Sequence, residues 1–197
     1  KTGVRVGECC NLDLRDVHLA DPEIRAAYEI DHRGALDGRP DSIYVSSAPA
    51  RGEEYNGEVR TASNKRKRDT IVPVDSELKR ILKAWLAVRP DTMAPGDPLF
   101  CSTSEWGSRV TPSMVRTAVA ARAGERGWHR EGGGAEENVT PHYFRHFFTT
   151  HLRDRTGDRG IVKYLRGDVA TDVIDTYTHN WGDRVRAVYE DNIYRLL

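Results

Sequence analysis

Three helix-start signals in the last two-thirds of the chain constrain its fold more than any other feature of the sequence. Asp75-Ser76 precedes a segment whose apolar residues recur at helical spacing, and Thr111-Pro112 and Thr140-Pro141 each place a capping hydroxyl before a proline. We predict a helix after each signal, and the domain is therefore mostly helical. The third helix carries a predicted buried stripe made of Tyr143, Phe144, Phe147, Phe148 and Leu152.

Turn-forming residues and short β-prone runs occupy the segment before these helices. Residues 20–58 combine Gly, Pro, Asn and Asp with runs such as Ile43-Tyr44-Val45, which favours strands and loops there. Further predicted elements are a strand at 70–74, a short strand at 98–100, a polar glycine-rich loop at 131–137 and a last amphipathic helix from about 183 to 197. The predicted fold class is α+β, mostly helical, with a small antiparallel sheet near the first third.

Length and composition exclude several classes of protein. A chain of 197 residues with 38% hydrophobic and 30% charged residues can bury a real core. It contains neither a run of roughly 18 to 20 apolar residues nor the order of a signal peptide. Three cysteines, Cys9, Cys10 and Cys101, are an odd number and form no paired CxxC motif. We expect a cytoplasmic protein, not inserted in a membrane, with reduced cysteines that mostly pack.

The net charge is zero, but the charges are unevenly distributed. Residues 1–58 hold seven basic and twelve acidic side chains, whereas residues 59–197 hold 23 basic and 18 acidic ones. Arginine outnumbers lysine 24 to 6, and planar guanidinium groups suit phosphate oxygens. Five basic residues come before any acid in the second part, so a local positive field is available there. They are Arg60, Lys65, Arg66, Lys67 and Arg68.

A histidine and an arginine lie one turn apart at the start of the third predicted helix. His142 and Arg145 share one face, so an imidazole and a guanidinium could contact the same ligand. His142 and His146 also have a spacing that could bind zinc. However, Tyr143 stands where the HExxH metal motif has its Glu, and no third ligand is suitably spaced. We therefore predict neither a metal nor another cofactor.

The sequence around this pair resembles the second signature box of the tyrosine recombinase, or phage integrase, family. In that box, here residues 140–152, the resemblance implies that His142 and Arg145 contact a scissile DNA phosphate. Residues 2–8 resemble the first box, TGxRxxE, which implies that Arg5 is the first phosphate-binding arginine. Residues 172–179 resemble the nucleophile box, which implies that Tyr177 attacks phosphorus.

The basic run and the third box complete the resemblance. Residues 64–73 look like the family's basic β-hairpin, whose lysine is the general acid; Lys65 is our choice and Lys67 remains the alternative. The third box departs from the usual LGH, because Asp168 stands at the His or Trp position nine residues before Tyr177. A carboxylate repels a phosphodiester unless an arginine neutralises it or it orients a hydrogen bond instead. Arg166 could supply such a charge.

The resemblance implies the catalytic domain of a site-specific recombinase or integrase over residues 1–197, without the family's N-terminal core-binding domain. It implies strand cleavage through a 3′-phosphotyrosine, needing neither metal nor ATP, with double-stranded DNA as the partner. Family members act as tetramers on two DNA sites and exchange a C-terminal tail, for which residues 181–197 are the candidate. The chain alone could remain monomeric, and delivery of the tyrosine within or between subunits is open.

Two other functions stay open at this point. A catalytically impaired, DNA-binding descendant would retain the fold, and Asp168 would mark the loss of activity. A type IB topoisomerase would share the Tyr, Arg and Lys chemistry but relax DNA without a specific site. The arginine and aspartate bias, with Leu-Arg-Gly-Asp in the third box, also suggests a haloarchaeal or archaeal-virus source.

Overall fold

A three-stranded antiparallel sheet with helices around it forms the centre of the fold. The structure, a computed structural model, describes residues 1–28, 30–134, 136–168 and 181–196. Its helices are α1 (Val6–Cys10), α2 (Pro22–Tyr28), α3 (Ser76–Val88), α4 (Pro112–Gly124), α5 (Pro141–Thr156), α6 (Arg159–Arg166) and α7 (Trp181–Asn192). Its strands are β1 (Val17–His18), β2 (Ser42–Val45), β3 (Glu54–Tyr55), β4 (Glu58–Val59) and β5 (Thr70–Pro73).

The main sheet has the order β1-β2-β5, and all its pairs are antiparallel. Ile43 of β2 lies opposite Val17 of β1 on one side and Val72 of β5 on the other, and all three side chains are buried. Helices α6 and α7 pack on β5, and α5 packs against both of them. A small hairpin of β3 and β4 stands apart from this sheet. The α+β class, mostly helical with a small antiparallel sheet, is confirmed.

The three helix-start signals are also confirmed. Asp75 accepts a hydrogen bond from the backbone N–H of Leu78 at 3.2 Å, and Thr111 accepts one from Met114 at 3.3 Å. Pro141 occupies the first turn of α5. These caps satisfy backbone donors that have no partner within the helix, which fixes where each helix begins.

The segment 20–58 contains a helix that the sequence analysis missed. Asp21 and Pro22 are among the turn-forming residues of this segment, but Oδ1 of Asp21 accepts hydrogen bonds from the backbone N–H groups of Glu23 and Ile24. Asp21 is therefore a helix cap and Pro22 the first residue of α2. A helix of seven residues is too short to show a clear apolar period. The Asp-Pro pair at its start is also common in turns, so the sequence favours a loop there.

Three other predictions need correction. Residues 98–100 form no strand of their own; Pro98 makes only an isolated bridge with Asp13. The last helix ends at Asn192 instead of 197. The stripe of α5 is buried only at Phe148 and Leu152, whereas Tyr143, Phe144 and Phe147 are each about half exposed. Arg145 takes a buried position of that face, three residues before Phe148.

Buried ion pairs hold the segment after α1 in place. Asp13 is fully buried and contacts Nη2 of Arg60 at 2.9 Å and Nη2 of Arg109 at 2.6 Å. Arg109 also donates to the backbone carbonyls of Cys10 and Leu12. Three arginine and aspartate side chains thereby fix the chain just beyond the first signature box.

The cysteines are thiols that mostly pack, as predicted. All three cysteines are free, and Cys10 and Cys101 are buried. Burial raises the pKa of the Cys10 thiol to about 12, so this thiol stays protonated near neutral pH. Among the helices that the structure describes, none combines the length and the apolar character that a membrane crossing needs.

Candidate active site

Arg5 is positioned by the first turn of α1. It is the N-cap of that helix, and its backbone N–H donates to Oε2 of Glu8 at 2.8 Å. Its Nη1 donates to Oε1 of the same carboxylate at 2.9 Å. Glu8 is fully buried, so the side chain that caps the helix also orients the guanidinium group. This explains physically why an arginine and a glutamate stand three residues apart in the first box.

Arg145 reaches back from α5 to the first residues of the chain. It is 4% exposed, and its guanidinium donates to the carbonyl oxygen of Gly3 and, at 3.0 Å, to that of Arg166. Gly3 has a φ of +63°, and a Cβ there would lie 2.3 Å from the Phe148 ring. Only glycine fits both the backbone conformation and the space. The first and second boxes therefore meet through a carbonyl that a glycine exposes.

Asp168 lies between the arginines of the site. Its Oδ1 accepts from Nη2 of Arg5 at 2.7 Å and from Nη2 of Arg145 at 3.1 Å, and its Oδ2 lies 2.7 Å from Nε of Arg166. Three guanidinium groups thus surround one carboxylate. A carboxylate here repels a phosphate unless an arginine neutralises it, and the structure places three arginines there, including Arg166.

The protonation of the site follows from burial and charge. Burial, followed by the charge of Arg5, lowers the pKa of Arg145 to about 10, so this side chain remains cationic near neutral pH. Burial, followed by the neighbouring His146 and Arg145, lowers the pKa of His142 below its usual 6.5. His142 is therefore neutral at pH 7 and can accept a proton.

The basic residues 65–68 lie in the long connection between β2 and β5, and residues 70–73 of the predicted hairpin form β5 itself. Nδ2 of Asn11, just after α1, donates to the carbonyl of Ala62 at 2.9 Å, and the backbone N–H of Lys67 donates to the carbonyl of Gly167 at 3.0 Å. The connection is thus attached to the segment just after the first box and to the third box. Gly7 allows this approach, since a Cβ there would lie 2.8 Å from the carbonyl oxygen of Ser63.

An open cleft of about 1110 Å³ lies between the first box, the basic connection, α4 and the start of α5. Arg5, Lys65, His142 and Arg145 all line it, so the structure brings these four predicted residues together. Lys67 is exposed and is not among the lining residues. Lys65 is therefore the lysine that shares the cleft with the two arginines.

The cleft carries positive charge in a protein whose net charge is zero. Arg51, Arg116 and His129 line it in addition to the predicted residues, and no Asp or Glu is among its lining residues in the part of the chain that the structure describes. A concave surface with one sign of charge concentrates the electrostatic field and attracts an anion. The overall composition concealed this surface because it averages over the whole chain.

The imidazole rings of His142 and His146 contact each other. Their Nε2 atoms are 2.8 Å apart, and their rings meet edge to face. Within the described ranges, no group of three or more His, Cys, Asp or Glu side chains could hold a metal ion.

One buried arginine beside the site belongs to the basic run but has no role of its own in the predictions from the sequence. Arg66 is 5% exposed, lies 3.3 Å from Oε2 of Glu8, and donates from Nη1 to the carbonyl of Leu165 at 3.2 Å. Its side chain lies over Gly167, whose φ is +69°. Two residues of the sequence could have pointed to Arg66. Glu8 in the first box is an acid that needs a cationic partner, and Gly167 in the third box leaves room for a side chain to pack against the backbone. Tyr177, the predicted nucleophile, lies outside the described residues.

Comparison with known proteins agrees with the motifs. The profile of the phage integrase family matches residues 53–182. The chain belongs to the phage integrase family. This integrase-family chain is 27% identical over 194 residues to tyrosine recombinase XerC of Methylobacterium sp. (strain 4-46), with 88% of the chain and 55% of the relative covered. It is 32% identical over 120 residues to XerC of Pseudomonas syringae pv. syringae (strain B728a), with 61% and 37% covered.

Solved structures show the same fold. A crystal structure of XerA recombinase matches 99% of the integrase-family chain and 55% of its own, with a TM-score of 0.56 and 25% identity. The Tn1549 transposon integrase, solved in complex with transposon right end DNA, matches 96% and 55% with a TM-score of 0.57 and 20% identity. The integrase-family chain spans 55% and 51% of the length of the two XerC relatives from Methylobacterium, about half of each.

Proposed function

We propose that residues 1–197 form the catalytic domain of a site-specific DNA recombinase or integrase that breaks and rejoins one DNA strand through Tyr177. The observation that carries this proposal is the position of Arg5 and Arg145. They lie on one carboxylate and line one cleft together with Lys65 and His142. Two guanidinium groups converging on one point suit the non-bridging oxygens of a single phosphodiester.

Each side chain then has a defined part in the cleavage step. The Tyr177 oxygen forms a bond to phosphorus and its proton passes to His142, which is neutral at pH 7. The bond from phosphorus to the 5′ oxygen breaks, and Lys65 gives that oxygen a proton. Arg5 and Arg145 stabilise the extra negative charge of the pentacoordinate transition state.

The same step run backwards reseals the strand. The phosphotyrosyl bond keeps the free energy of the phosphodiester, so a 5′ hydroxyl can attack it and release Tyr177. Nothing in this scheme consumes ATP, and the arginines neutralise the charge that a metal ion would otherwise neutralise. We therefore propose a reaction that depends on neither.

The partner that suits this cleft is double-stranded DNA. Its backbone presents closely spaced phosphates, and five cationic side chains line the cleft. They are Arg5, Arg51, Lys65, Arg116 and Arg145.

On two DNA sites we propose a tetramer. Val185 and Tyr189 of α7 are buried in the chain's own core, so in this structure the described part of the proposed exchange segment is folded back.

A covalent trapping assay tests the proposal. The protein is incubated with nicked suicide duplexes of randomised sequence, with a chelator and without ATP, and separated under denaturing conditions. We expect the wild type to give a protein–DNA band that resists detergent, and Tyr177→Phe, which lacks only the attacking oxygen, to give none. Absence of the wild-type band, or its persistence in the variant, would contradict the proposal.

The trapped DNA also separates recombinase from topoisomerase. Sequencing the trapped strands should reveal a preferred sequence if the enzyme is site-specific. Relaxation of a supercoiled plasmid without that sequence would favour a type IB topoisomerase instead. Binding of DNA without any trapping would favour the catalytically impaired descendant.

A further inference from the structure

The third box holds a carboxylate where the resemblance led us to expect a His or Trp that contacts phosphate. We infer that Asp168 is a positioning residue: its carboxylate is an internal anion that fixes the relative position of Arg5 and Arg145 so that both can bind one phosphate. The cleavage arm of its test rests on the function proposed above.

Like charges explain why such an anion is needed. Arg5 and Arg145 donate to the same oxygen atom, so their guanidinium groups are close neighbours even before DNA binds. Two cations at that distance repel each other, and Arg145 is almost entirely removed from water that could screen the repulsion. A negative charge between them turns this repulsion into two ion pairs. The pair is thereby held together without DNA.

The carboxylate is itself held from several sides. Arg166 contacts its second oxygen at 2.7 Å, and the backbone N–H of Asp168 donates to the carbonyl of Lys163 at 3.0 Å. Gly167 turns the chain just before it with a φ of +69°, and its carbonyl accepts from Lys67. The anion is therefore part of a fixed scaffold at the end of α6.

Asp168 leaves the arginines free to bind phosphate. Asp168 is not among the residues that line the cleft, whereas Arg5 and Arg145 are. Among the residues that the structure describes, the contacts to Glu8, to the Arg166 carbonyl and to Asp168 leave the Nε–H and one Nη2–H of Arg5 without an acceptor. With respect to the same residues, Arg145 keeps its Nε–H and one Nη1–H. A phosphate can therefore be bound without displacing the carboxylate.

The test is Asp168→Asn, which removes the charge and keeps the shape. Single-turnover trapping on the sequence selected above should slow by about 10- to 100-fold, because the arginines lose their orientation. Equilibrium binding of that DNA should be no weaker, and up to about fivefold tighter, because a negative charge near the phosphate is gone. Asp168→Glu restores the charge at a slightly different place and should trap at an intermediate rate.

Asp154→Asn is the matched control. Asp154 pairs with Arg153 on the exposed side of α5, so the same change in charge is made away from the cleft, and its trapping rate should equal that of the wild type. Trapping by Asp168→Asn at the wild-type rate or faster would overturn the inference. So would a parallel loss of binding, trapping and thermal stability that Asp168→Glu does not restore, because that result describes a purely structural residue.

A measurement without cleavage keeps the two proposals distinguishable. In side-chain NMR spectra of the protein alone, the guanidinium groups of Arg5 and Arg145 should rotate slowly in the wild type and faster in Asp168→Asn. If the wild type traps no DNA, the proposed function fails and this measurement decides the inference. Unchanged rotation in the variant would overturn it.

Discussion

At the scale of single residues, contacts with neighbouring groups fix the orientation of the side chains that form the site. Arg5 is oriented by Glu8 and Arg145 by the Gly3 carbonyl. The motifs predicted which arginines and which histidine meet, because those residue types carry the chemistry. They did not distinguish Lys65 from Lys67, because the path of a long connection depends on contacts such as that of Lys67 with Gly167.

The pH dependence of trapping tests the proposed role of His142. Its pKa lies below 6.5, and the neutral imidazole is the form that accepts a proton. The trapping rate should therefore rise with pH through that lowered pKa and level off above it. A pH profile of the single-turnover rate checks this, and His142→Gln should remove the rise. Because His146 also lowers the pKa of His142, His146→Gln should move the rise to higher pH; no movement would contradict the assignment.

At the scale of helices and strands, helix starts were predicted better than buried faces. Asp75 and Thr111 cap their helices through local hydrogen-bonding chemistry that a sequence displays directly, whereas Thr140 is the N-cap residue of α5 without a side-chain hydrogen bond. Which face of α5 is buried depends on long-range contacts, and the aromatic residues Tyr143 and Phe144 therefore misled the prediction. Such contacts join segments far apart in the chain, and the spacing of apolar residues within one helix does not reveal them.

The approach of α1 to the basic connection gives a prediction at this scale. Gly7→Ala should lower the free energy of unfolding by about 1–3 kcal/mol, because the added methyl group meets the Ser63 carbonyl. It should also slow trapping, since Lys65 must move with that connection. Urea denaturation and the trapping assay measure the two effects.

A second glycine in a helix is the control for this change. A Cβ at Gly124 of α4 would find its nearest neighbour at 3.8 Å, an ordinary contact. Gly124→Ala should therefore raise the free energy of unfolding by up to about 1 kcal/mol, as expected for a helical glycine with room for a methyl group. Equal effects of the two substitutions would mean that Gly7 does not bring the segments together.

At the scale of the whole molecule, the distribution of charge matters more than its sum. The sequence has an excess of basic residues after residue 58, but Arg5 belongs to the acidic part and still lines the cleft. Only the fold determines which charges face the same space. The haloarchaeal or archaeal-virus source suggested by the arginine and aspartate bias stays a prediction.

Salt dependence measures how the cleft uses its charges. Each phosphate neutralised contributes about −0.9 to the slope of log K against log salt concentration. Arg116→Gln, in the cleft, should make that slope shallower by about 0.9, as measured by fluorescence anisotropy with a labelled duplex of random sequence. Arg122→Gln removes a charge from the same helix, where Arg122 is paired with Glu125 at the surface, and should leave the slope unchanged. Equal slopes for both variants would place the DNA elsewhere.

The hydrogen bond from Arg145 to the Gly3 carbonyl joins residues separated by 142 positions. A nascent or partly unfolded chain that has made α5 but has not docked its first residues lacks this acceptor, and with it the neighbouring Arg5. Under the proposed mechanism, such a chain has no complete set of groups with which to cleave DNA. DNA strand cleavage is thereby restricted to molecules in which the first residues have docked against α5.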